Sequence, residues 1–354
     1  MADWHVSRTV RAATLATALI GMALSTGSAG AQTATVAGPE TTWNFSLYTQ
    51  KGSAVTAGFD NLVTMVGNAT GGRFRINQVH NGTLAPVKET LDALRINAFQ
   101  MGFVAQSFHP GKVPTVNIFD LPFLPFANLK TQVTVMTNYF RLPEVVADAA
   151  RWNTFILMPP NLTSYELAGK GKPPRSIADL KGMRIRAPGG MGEALRTVGV
   201  APNNLPSPEI YGAVERGMID ALAFPMYAHG TYKTVELVTW YTTNMKLGLV
   251  AAFAAINLDA WKALPDAYRN LMLASVPEAM ESAFPKVLAD DQAMIDALNR
   301  RNAVAITYSK AEKDKFIEQA ARPIWDKWVE DMNAQGYPGR KLLDFVVANA
   351  ERGV

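Results

Sequence analysis

Between residues 43 and 48, Trp43, Phe45 and Leu47 alternate with Asn44, Ser46 and Tyr48, the period of a strand with one face on a core. A helix is predicted over 54–69, ended by Gly71-Gly72, since paired glycines accept the left-handed turn that closes a helix. "RFRINQV" (73–79) reads as a second strand and Asn81-Gly82 as a turn. Pro86 suits the first turn of a helix running to Arg95, and "AFQMGFVA" (98–105) is a third strand. This β-α-β-α-β order predicts a mostly parallel sheet with helices on its faces.

"FDLPFLPF" (119–126) predicts a rigid apolar loop, and a helical stretch follows over 128–150. "TFILM" and "SYELA" read as strands, and Ser176 with Asp179 resembles a capping box. "MRIR" (183–186) alternates again, then breaks at Pro188-Gly189-Gly190 into a helix. Ser207 is placed to cap a helix that starts with Pro208 and Glu209 and ends at Gly217, ahead of the strand "MIDALAF". These segments make a second α/β unit. "LGLVAAFAAINL" is an apolar strand long enough to cross between units. Past Ala263 the chain reads as helical to Asn302, with Pro277 and Pro285 as kinks. Ser309 and Glu312 form a second capping box, after which Phe316, Ala320, Ile324 and Trp328 recur every four residues on one helix face. The simplest architecture is two α/β lobes with a cleft between them, tied by more than one crossing. Residues 32–163 plus 250–289 form the first lobe, and 164–249 plus 290–354 the second.

The first 31 residues stand outside this pattern. Arg8 and Arg11 precede an almost wholly apolar run, 12–24, and then small residues ending in Ala29-Gly30-Ala31. That is the plan of a secretory signal cleaved after Ala31, with an apolar run too short to span a bilayer. It predicts a periplasmic protein. Removing it lowers the formal net charge from +4 to +3, too slight a balance to indicate nucleic acid as a partner. The chain has no cysteine, hence no disulfide, thiol nucleophile or thiolate metal site.

Catalytic motifs are sparse. His80, His109 and His229 are far apart in sequence, and no G-x-S-x-G or phosphate-binding loop occurs. "GGMGEAL" lacks the third glycine of a dinucleotide fingerprint, and Asp290-Asp291 reads as a solvated helix face. The arginine pair remains. Arg184 reads as an exposed strand arginine. Arg186, at the strand end where open α/β sheets bind ligands, reads either as half of a salt bridge or as a carboxylate receptor. The second reading draws on the following helix N-terminus and on the arginine fork.

The segments "SIADLKGMRIRAPGG", "VGVAP" and "SPEIYGAVERGMIDALAFP" resemble the solute-binding proteins of TRAP (tripartite ATP-independent periplasmic) transporters, DctP-type. "NGTLAPVKETLDALRINAFQMGFV" and "IFDLPFLPF" are similar to further blocks of that family, in order. The resemblance implies an α/β, two-lobed, periplasmic-binding-protein-like clamshell with a long helix spanning both lobes. It implies capture of a small organic acid for integral-membrane permease subunits, with no catalysis and no cofactor. Arg186 matches the family's ligand-carboxylate arginine, and Tyr48 and Gln106 fall near its pocket positions. Some members carry a second basic residue near Tyr165, where this chain has Glu166, and an asparagine where it has Phe224. These departures imply a monocarboxylate with an apolar or aromatic body, walled by Phe224 and Tyr227, with a hydroxyl or amine facing Glu166. Ordinary core packing is the other reading of Phe224, and orientation of Arg186 the other reading of Glu166. Members that bind an acid with a cation differ from "ALAFP", so no metal is expected. A periplasmic enzyme with an unfamiliar site, or a sensor or scavenger on the same fold, are the alternatives.

Overall fold

A computed structural model describes residues 35–352; the predicted signal at 1–31 lies outside them. In chain order the elements are β1 (Thr41–Ser46), α1 (Ala57–Ala69), β2 (Phe74–Val79), α2 (Thr90–Arg95), β3 (Met101–Ala105), α3 (Leu129–Tyr139), α4 (Pro143–Arg151) and β4 (Thr154–Met158). Then follow β5 (Glu166–Gly169), β6 (Arg184–Arg186), α5 (Gly189–Arg196), β7 (Ala201–Asn203), α6 (Ile210–Glu215), β8 (Ala221–Phe224), α7 (Met226–Thr231) and β9 (Trp240–Thr242). The chain ends with β10 (Ala252–Asn257), α8 (Leu258–Ala263), α9 (Asp266–Glu281), α10 (Phe284–Arg300), β11 (Val304–Ile306), α11 (Lys310–Ala334) and α12 (Gly339–Arg352).

The strands form two sheets, one per lobe, in the orders β2-β1-β3-β10-β4 and β11-β9-β5-β8-β6-β7. In the first, β1 runs parallel to β2 and β3, with Phe45 opposite Met101, as the β-α-β pattern predicts. β10 enters antiparallel between β3 and β4, so the first sheet is completed by a strand from late in the chain. Every residue of β3 and β10 is buried, as expected for central strands covered on both faces. The alternation in β1 places Phe45 inward, 5.5 Å from the Phe59 ring of α1, and Phe59 meets Phe103 of β3 at 5.1 Å. Pro202 sits in β7, an edge strand, where a missing N–H breaks no ladder.

The chain passes between the lobes four times: after β4, after β9, through α8, α9 and α10 to β11, and along α11 to α12, which packs on α3 of the first lobe. On that third passage α9 packs on α1 of the first lobe and α10 on α7 of the second. α11, 25 residues long, touches α5 in the second lobe and the helical turn 114–120 in the first, and Trp325 Nε1 donates to Pro122 O at 2.9 Å. It is a long helix spanning both lobes. Its Phe316 and Ala320 are buried, as their spacing predicts.

Several local expectations are corrected. The predicted helix 128–150 is two helices, because Leu142 is extended ahead of Pro143, which opens α4. Pro285 likewise begins α10 rather than kinking a longer helix, while Pro277 lies inside α9. The apolar run 247–258 is a strand only from Ala252, since Gly248 holds φ +129°. The Ser176–Asp179 box is complete but caps a single helical turn, 177–180. Ser207 caps nothing with its side chain. Ser309 accepts the Glu312 N–H at 3.3 Å, but the Glu312 carboxylate reaches instead to Ile177 N at 2.6 Å.

Candidate functional site

β6 carries its two arginines to opposite ends of one task. Arg184 is exposed and closes on Asp220, with Nη2 2.5 Å from Oδ1. Arg186, two residues on, is 3% exposed. Its Nε donates to Leu205 O at 3.1 Å and its Nη1 to Ala223 O at 3.2 Å. These bonds use two of the five N–H donors of a guanidinium. No carboxylate comes within ion-pair reach of Arg186 among the described residues. A buried charge without a counter-ion is costly. Burial pulls its pKa below the usual arginine value, and the phenols of Tyr165, Tyr232 and Tyr48 oppose that shift. The salt-bridge reading of Arg186 therefore fails among the described residues.

The guanidinium carbon lies 4.8 Å from the Phe224 ring centroid. Beside Phe224, between the lobes, is a narrow cavity of about 40 Å³. The first lobe contributes Tyr48, Thr49 and Phe103 to its walls, and the second Tyr165, Phe224, Tyr227 and Tyr232. Arg186 is not in the wall itself, but its guanidinium lies over Phe224 and is influenced by the phenols of Tyr165, Tyr232 and Tyr48, all of which are in it. The Tyr232 ring stacks on Phe224 at 5.6 Å and Tyr48 on Phe103 at 4.9 Å. Burial pushes the phenols of Tyr165 and Tyr232 up to about 12, so both remain protonated hydrogen-bond donors. The Thr49 hydroxyl is buried without a partner among the described residues.

The structure thus brings together Tyr48, Phe224 and Tyr227 around one cavity, with Arg186 against the Phe224 ring. Glu166 and Gln106 are not in its wall. The Glu166 carboxylate accepts from the Thr242 hydroxyl at 2.6 Å, Met245 N at 2.8 Å and Lys246 N at 3.0 Å. It neither faces the cavity nor pairs with Arg186. Gln106 turns its amide to the carbonyls of His109 and Lys112. The expected helix N-terminus also points elsewhere. The start of α5 packs on Asp120, whose Cγ lies 2.9 Å from where a Cβ on Gly189 would stand. The α7 start is capped from a distance, Tyr227 N donating to Asp291 Oδ1 at 2.7 Å, so Asp291 is not part of a solvated face. Sequence reasoning missed Tyr165, Tyr232, Thr49 and Phe103. The one available signal was the tyrosines in "SYELA", just ahead of β5, and in "MYAHGTY", on α7 and at its end. Among the described residues no cluster of three or more His, Asp or Glu is placed to hold a metal ion.

Known proteins share both sequence and fold with this chain. It is 27% identical over 250 residues to the monocarboxylate 2-oxoacid-binding periplasmic protein of Nostoc sp., a match spanning 68% of this chain and 66%, just under two thirds, of that relative. A TRAP solute-binding protein of Rhodoferax ferrireducens, solved with copurified benzoate, superposes with a TM-score of 0.79 at 23% identity, over 88% of this chain and 98% of that one. A marine-metagenome TRAP solute-binding protein specific for aromatic acids, solved with metahydroxyphenylacetate, gives 0.78 at 18% identity, over 88% and 99%. These two structural likenesses carry the fold. Residues 45–331 match the model of DctP, described as bacterial extracellular solute-binding protein, family 7. The chain accordingly belongs to the DctP family, the periplasmic solute-binding proteins of TRAP transporters.

Proposed function

We propose that this chain captures a small monocarboxylic acid with an aromatic or apolar body between its lobes and hands it to the integral-membrane subunits of a TRAP transporter, without catalysing a reaction. On this reading the signal 1–31 is cleaved on export, and the lobes are 32–163 plus 250–289 and 164–249 plus 290–354. Arg186 pairs with the carboxylate through donors its backbone partners leave free. Tyr165 and Tyr232 add phenol donors, and Phe224, Tyr227 and Tyr48 flank the body. The carrying observation is the single buried guanidinium with no carboxylate in ion-pair reach among the described residues, set against the Phe224 ring of an aromatic-walled cavity. One cation neutralises one carboxylate, and apart from Arg186, whose guanidinium lies over the Phe224 ring, the cavity wall itself contains no basic residue. The Nostoc relative is named for monocarboxylates, and two structural neighbours hold aromatic monocarboxylates.

The test starts with a thermal-shift screen of the purified protein against pyruvate, benzoate, mandelate and succinate, because a ligand of the folded state raises its melting temperature. Calorimetry on the best acid then compares Arg186→Ala and Arg186→Lys with the unaltered chain. Truncating a buried charge partner costs about 2–5 kcal/mol, so Arg186→Ala should bind roughly thirtyfold more weakly or worse. Lysine cannot replace a planar fork and should rescue only part of this. Equal affinity in Arg186→Ala, or a preference for succinate, would overturn the proposal.

A further inference from the structure

Tyr48 borders two cavities. Its ring is part of the wall of the narrow inner cavity and equally of an outer hollow of about 370 Å³. The outer hollow lies at the same interface of the lobes: Pro86 and Lys88 come from the first, Pro206, Pro208 and Glu209 from the second. Tyr48 is the one residue common to both linings.

The ring is held by more than its own rotamer. Leu47 N donates to Val79 O at 2.9 Å, Asn81 N to Thr49 O at 3.0 Å and Gly82 N to Leu47 O at 3.0 Å, so the backbone on both sides of Tyr48 is tied to 79–82. The ring itself lies flat on Phe103, 4.9 Å between centroids and 16° between planes. A side chain fixed at backbone and face acts as a wall rather than a swinging gate.

We propose that Tyr48 is the specificity-determining wall that sets the length of acid this protein accepts, and that the hollow behind it is a latent subsite for an apolar extension of the ligand. This rests on the reading of the inner cavity as the acid site. An acid whose body ends at Tyr48 is enclosed. A longer one must push the ring off Phe103, which the stitched backbone resists. With the ring removed, the two cavities join, and the proline side chains of the outer hollow offer a rigid apolar surface. Lys88 and Glu209 at that surface carry opposite charges, so it has no strong preference for a second anion.

The experiment uses two acids that differ only in length, benzoate and biphenyl-4-carboxylate, titrated by calorimetry into ligand-free protein. Tyr48→Ala should bind biphenyl-4-carboxylate roughly tenfold or more tightly than the unaltered chain does, the scale on which apolar pockets discriminate size. Tyr48→Phe keeps the ring and should keep the original ranking. Tyr48→Val, which removes the ring but keeps a larger apolar side chain than alanine, should repeat the gain if Tyr48→Ala melts too early to titrate. No gain in either folded ring-less variant, or an unaltered protein that already prefers the longer acid, would overturn the proposal. The double variant Tyr48→Ala/Arg186→Ala separates the two readings. A gain that survives loss of Arg186 leaves the wall standing and removes the arginine from carboxylate binding; a gain that vanishes with it supports both.

Discussion

At the scale of single residues, Arg186 and Glu166 invert what their positions suggest. The place of Arg186 at the end of a strand was legible because two local signals coincide: alternation in "MRIR" and a glycine-rich break after it. Glu166 was not, because its partners, Thr242, Met245 and Lys246, lie about eighty residues later and meet it only through the sheet. A buried carboxylate that takes three donors is a tie holding the 242–246 segment. Removing it leaves two backbone N–H groups without their acceptor, at about 1–3 kcal/mol each. Glu166→Ala should therefore lower the denaturation midpoint while leaving the ligand affinity of the folded protein close to unchanged. Arg186→Ala should do the opposite. Chemical denaturation and calorimetry on both variants would check this crossed pattern, and a weakened acid affinity in folded Glu166→Ala would return it to the ligand.

At the scale of elements, long periodic segments were readable and short connecting ones were not. The apolar periodicity around β1, α1, β3 and β10 reflects burial on a large core, which is a property of the segment itself. β9 and β11, three residues each, exist only because they pair with one another and with β5. The same dependence on neighbours makes α7 sensitive to acid. His229 in α7 is fully buried, with Nδ1 2.8 Å from the Thr234 hydroxyl and its ring edge-on to Phe224. Burial pushes its pKa down to about 4. A histidine whose folded pKa is depressed takes up its proton more readily when unfolded. Its contribution is thus complete above the ordinary value near 6.5, and is lost as pH falls from there through about 4. Acid should loosen the helix that carries Tyr227, and acid affinity should fall with stability over that window. His229→Gln, which cannot charge, should show a flatter stability profile between pH 4 and 6.5 than the unaltered chain. Identical profiles would place the acid sensitivity elsewhere.

At the scale of the whole molecule, four passages between lobes, one of them a helix lying across both, define what can move. At one place away from the cavity, the lobes meet so closely that only a glycine fits. A Cβ on Gly190 of α5 would stand 2.4 Å from the carbonyl oxygen of Asp120 in the first lobe, and 2.9 Å from Pro122. Asp120 is itself anchored, its Oδ1 accepting Ala251 N at 2.8 Å, just before β10. The approach of the lobes on this side thus depends on a single hydrogen atom in place of a methyl group. A distance that short cannot be absorbed by a rotamer change, since both atoms nearest the new methyl belong to rigid groups. Gly190→Ala should keep both sheets intact and hold the lobes apart. The unaltered protein should shrink in small-angle scattering when its acid is added, as hinged domains close on a ligand. The variant should start larger, contract less and bind more weakly, although position 190 is outside the cavity wall. A variant that contracts and binds like the unaltered chain would mean that the lobes do not meet at Gly190 in the closed state, and the clamp would then have to be closed by the aromatic walls alone.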